Sequence, residues 1–77
     1  MAQHDYDIAN DTAANVRADL NNVLAAIVSN NSGSSEPTTA YANQWWYDST
    51  NDTLKIRNED NTAWIDVLSV DQSNSVV

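Results

Sequence analysis

The chain has 77 residues and a formal net charge of −8, with eleven acidic side chains against only Arg17, Lys55 and Arg57. Such a surface repels phosphate, which argues against nucleic acid and anionic membranes as partners. Without cysteine, and with His4 as its one histidine, the chain has neither disulfides nor a ligand set for structural zinc, so self-association or docking is the remaining aid to a domain that buries only about 60% of its unfolded surface.

Residues 1–10 read as an extended arm. Its start, Met1-Ala2-Gln3-His4-Asp5-Tyr6-Asp7, is acidic, whereas a signal peptide opens basic and turns apolar. The longest apolar run, Val23 to Val28, is too short to span a bilayer. Residues 11–30 then predict an amphipathic helix, because Ala13, Val16, Leu20, Val23, Leu24 and Ile27 recur at steps of three or four. Asn10, Asp11 or Thr12 can cap its start. Asn30-Asn31-Ser32-Gly33 ends it with residues that tolerate a left-handed turn.

The same stripe also reads as a heptad, with Ala13, Leu20 and Ile27 at position a and Val16 and Val23 at d. Leu or Ile at a with β-branched residues at d favours three or four strands over two. A helix lying on a sheet carries a similar stripe. Two repeats do not choose between them.

Residues 31–43 are a Ser- and Thr-rich linker broken by Gly33 and Pro37. From 44 to 68 the period becomes two, and Gln44 to Asp48, Thr53 to Asn58 and Thr62 to Leu68 predict three strands. Short Asn- and Asp-rich connections make neighbours antiparallel, hence a meander. Both faces carry apolar groups: in the middle strand Leu54 and Ile56 face away from Thr53, Lys55 and Arg57, and the outer strands set Trp45 and Tyr47 against Trp46, then Ala63, Ile65 and Val67 against Trp64 and Leu68. The helix is expected to cover one face and a neighbouring subunit the other. Residues 69–77 read as a mobile or partner-docked tail.

Chemistry-bearing patterns are weak. His4 lies in the arm, and a pocket that excludes water needs more chain than this. The pairs Asp5 with Asp7 and Asp48 with Asp52 lie in an arm and a turn rather than a rigid cleft. Asp48 to Asp52 resembles the opening of a calcium loop but lacks its sixth-position Gly and twelfth-position Glu. No catalytic residue, metal or cofactor is therefore assigned. Trp45, Trp46 and Tyr47 suggest either a core and subunit contact or a carbohydrate platform, and the large area each ring buries favours the first.

Met1 to Asn10, the run Arg17-Ala-Asp-Leu-Asn-Asn-Val-Leu-Ala-Ala-Ile27, Gln44-Trp-Trp-Tyr-Asp-Ser-Thr-Asn-Asp-Thr-Leu-Lys-Ile-Arg-Asn58 and Asn61-Thr-Ala-Trp-Ile65 resemble the N-terminal region of tail-fibre proteins of tailed bacteriophages, marine and cyanobacterial ones among them. The resemblance covers roughly residues 1–68. It implies a virion-proximal, trimer-forming segment, with no receptor-binding tip in these residues. The expected fold is α+β: an arm and one helix followed by a three-stranded antiparallel meander, in a parallel homotrimer. The expected role is a short fibre, adaptor or decoration subunit of the virion, attached to other tail or capsid proteins. Val16, Leu20, Val23, Leu24, Ile27, Trp45, Trp46, Tyr47, Leu54, Ile56, Trp64 and Ile65 would form core and subunit contacts, and His4, Asp5, Tyr6, Asp7 and Ile8 the docking arm.

Overall fold

Thr12, extended at φ −62° and ψ 156°, accepts the Asn15 N–H through its hydroxyl and starts α1 at Ala13–Val28. Asn30 and Asn31 both adopt positive φ and close the helix. The Asn31 N–H donates to the Ala26 carbonyl at 2.6 Å and the Asn30 N–H to Ile27 at 3.2 Å, the paired bonds of a Schellman turn. Asn fills the left-handed positions because its short side chain tolerates them, and Gly33 has no positive φ. These details come from a computed structural model that describes residues 3–77; Met1 and Ala2 of the expected arm lie outside the described residues.

The period-two region folds as β1 (Trp45–Asp48), β2 (Thr53–Arg57) and β3 (Trp64–Ser69) in the order β1-β2-β3, antiparallel throughout. The fold is thus α+β with a single meander, and the strand ends fall within two residues of expectation. Asp52 and Asn61 supply the positive φ in the two connections. In the second, the Asn58 side chain accepts the N–H groups of Thr62 and Ala63. A register shift between Leu54 and Lys55 marks a bulge on the β2–β3 ladder.

One expectation fails. No Cα of α1 comes within 8 Å of a strand Cα, so the helix does not cover its own sheet. The chain is a thin slab of 43 × 32 × 15 Å. Its radius of gyration is 13.9 Å, where a compact chain of this length has about 11.5 Å. Its accessible surface of 5169 Å² likewise exceeds the roughly 4,650 Å² expected for its mass. The linker, not the helix, is the cover. Gly33 pairs in parallel with Asp48 at the outer edge of β1, and the Asn30 carbonyl accepts the Tyr47 N–H.

The tail is also tied down. The Val70 N–H donates to the Asp52 carbonyl, Asp71 and Val76 form an antiparallel bridge, and the Gln72 amide donates to the Tyr47 hydroxyl.

Candidate assembly surfaces

Strand alternation and the observed register sort the sheet into two unlike faces. Trp46, Asp48, Thr53, Lys55, Arg57, Trp64 and Asp66 share one face. Trp46 and Trp64 meet edge to face with centroids 5.3 Å apart. The Lys55 ammonium stands 5.3 Å from the Trp46 ring and the Arg57 guanidinium 5.1 Å from Trp64, both within cation–π range. Lys55 also pairs with Asp48 at 3.7 Å and Asp66 at 3.3 Å, and Arg57 with Glu36 at 3.5 Å.

The linker lies over this face. Trp46 Nε1 donates to the Gly33 carbonyl at 3.2 Å, Thr50 Oγ1 to Ser34, and Asn61 Nδ2 to Ala40. Trp46 is 6% exposed and Pro37 is buried. Asp48, almost fully enclosed, accepts the Thr50 and Asn51 N–H groups and the Asn51 side-chain amide. Burial pushes its carboxyl up. Those hydrogen bonds and the Lys55 charge outweigh burial and hold it below the ordinary carboxylate range. Asp71 repeats the arrangement with Ser73 and Asn74, so Asp-x-(Ser/Thr)-Asn is a turn pattern used twice in the chain.

The opposite face holds Trp45, Tyr47, Leu54, Ile56, Ile65 and Leu68, with no charged side chain among them. Trp45, Ile65 and the bulge residue Val67 are exposed, and Tyr47, Leu54, Ile56 and Leu68 are half-buried. On α1, Leu20, Leu24, Ile27 and Val28 are exposed, Val16 and Val23 half-buried, and Ala26 fully buried. The expected contact residues therefore separate into groups. Trp46 and Trp64 form the enclosed aromatic pair, while the others line the open sheet face or the helix. Because Trp46 points away from Trp45 and Tyr47, these three rings do not form one platform.

The arm folds back on its own chain. His4 Nδ1 accepts the Tyr6 N–H at 2.8 Å, which leaves Nε2 as the donor to Asp19 Oδ1 at 2.5 Å. The His4 N–H donates to Asn31 Oδ1, and the Tyr41 hydroxyl to the Asp5 carbonyl. Tyr6, at a positive φ of 63°, makes a tilted ring contact with Tyr41, and Asp5, Asp7 and Ile8 are exposed. A cavity of ≈ 280 Å³ between arm and linker is lined by Gln3, His4, Asp5, Pro37, Thr38 and Thr39. Among the described residues, no group of three or more His, Asp or Glu side chains is placed to hold a metal. No helix among them is long and apolar enough to cross a membrane.

Asn31, Asp48 and the cation–π pairs are the anchoring groups that residue patterns missed. Asn31 is completely buried although Asn is usually exposed. The repeated Asp-x-(Ser/Thr)-Asn spacing could have flagged Asp48. No family model, curated protein or solved structure matches this chain.

Proposed function

We propose that the chain is a non-enzymatic structural subunit of a bacteriophage virion that assembles with copies of itself, as a homotrimer, and attaches to tail or capsid proteins. The observation that carries the assembly reading is the inverted sheet. Its charged face lies under the linker, while its uncharged face, with Ile65 51% and Val67 47% exposed, stands open. A contiguous exposed apolar face of this kind marks an interaction surface. The virion setting is supported by the tail-fibre-like motifs in residues 1–68. His4 and Tyr6 are occupied within the chain, which leaves Asp5, Asp7 and Ile8 as the arm's outward contacts with a virion protein.

Light scattering on the purified chain tests assembly. The expected mass is three times the 8.5 kDa of one copy. Ile65→Asp should leave the meander folded by circular dichroism while dissociating the particle, because the new charge is hydrated in the monomer and desolvated in the contact. A folded wild-type monomer at micromolar concentration would sink the proposal.

A further inference from the structure

We infer that the exposed helix stripe of one copy lies across the open sheet face of a neighbouring copy, an arrangement that rests on the assembly proposed above. The helix has turned part of its apolar surface inward. At about 100° per residue, Val16, Asp19, Val23 and Ala26 fill one sector of roughly 80°. These are the half-buried and buried positions, and Asp19 is held there by His4. Both d positions of the heptad, Val16 and Val23, lie in that sector. The outward stripe is therefore Leu20, Leu24, Ile27 and Val28, about 100° wide, which suits a broad flat surface rather than the narrower a/d seam of a coiled coil.

Its own sheet is out of reach. His4 ties the arm to both Asp19 and Asn31, and the Asn30 carbonyl holds the Tyr47 N–H, which pins the end of α1 at the outer edge of β1. The dimensions match a neighbour's sheet instead. The stripe from Leu20 to Val28 runs about 12 Å along the helix, which fits within the longest strand, six residues or about 20 Å. The outer strands of a three-stranded sheet stand about 10 Å apart, the width of one helix with its side chains.

Charge agrees. The paired strand residues of the open sheet face are all uncharged, the one carboxylate reaching it is Asp52 at its edge, which accepts the Tyr47 hydroxyl, and Arg17 is the one charge in the outward sector of α1. Helix-on-neighbouring-sheet is a head-to-tail contact, which closes into a ring when the rotation permits. A ring of three leaves every stripe and every sheet face covered.

The absence of cysteine makes the test direct. Chains with Leu24→Cys or Val28→Cys and one affinity tag are refolded with chains carrying Ile65→Cys or Val67→Cys and a second tag, then mildly oxidised. The expected product carries both tags and is lost when either cysteine is omitted. Preferential helix-to-helix or sheet-to-sheet products, or no cross-link within particles of trimer mass, would overturn the inference while leaving assembly intact. Particles of monomer mass would overturn both.

Discussion

Trp46→Ala should unfold the isolated chain or leave it only marginally folded. The ring is the largest well-buried side chain, and it packs on Trp64, under Lys55 and against the Gly33 carbonyl at once. Truncating a buried Trp costs about 3–5 kcal/mol. A chain of 77 residues has about 4–12 kcal/mol in total. The loss is therefore between about a quarter and the whole of the stability. Trp46→Phe keeps most of the apolar contact but not the hydrogen bond, and should cost about 1–2 kcal/mol. Urea titrations at one fixed protein concentration, which removes mass-action effects, give both values. A Trp46→Ala midpoint within error of wild type would show that the linker-covered face is not the core.

Asp48→Ala should be the second most damaging change, at about 3 kcal/mol. It strips the acceptor from the Thr50 and Asn51 N–H groups and from the Asn51 amide, and leaves Lys55 with only the exposed Asp66. Asp48→Asn, which keeps an acceptor oxygen but not the charge, should lose less. The carboxyl is held below its unfolded value, so its stabilisation is fully present above about pH 4 and is lost as pH falls through the folded value. Asp11 and Asp71 are also lowered and act in the same direction. The difference between wild type and Asp48→Asn isolates Asp48. That difference should shrink as pH falls below about 4, and a difference that stays constant would remove the charge from the account.

The cover over Trp46 explains why the proposed assembly would use one side of the sheet and not both. Ser32 to Ala40 provide a polar strand of carbonyls to the tryptophan indole, Thr50 and Asn61, with Pro37 buried beneath. This cover satisfies polar and cationic groups. It leaves the aliphatic face, Leu54, Ile56 and Ile65, for something apolar, and the stripe from Leu20 to Val28 has the matching chemistry.

What could be read from residues alone was local. Thr12, the three-and-four spacing from Ala13 to Ile27 and the left-handed Asn pair define a helix through contacts a few residues apart. The alternation in Trp45 to Asp48 and Thr53 to Arg57, with Asp52 and Asn61 in the connections, likewise defines the meander. The tertiary structure alone decided which groups meet across long separations. The His4 N–H reaches Asn31 over 27 positions, the Tyr41 hydroxyl reaches Asp5 over 36, and Trp46 reaches Gly33 over 13. Periodicity records that a surface is apolar, but not what lies against it. Here the part-buried hydrogen bonds of His4 to Asp19 and Asn31 hold the helix away from its own sheet, so the stripe expected to close the fold stays exposed.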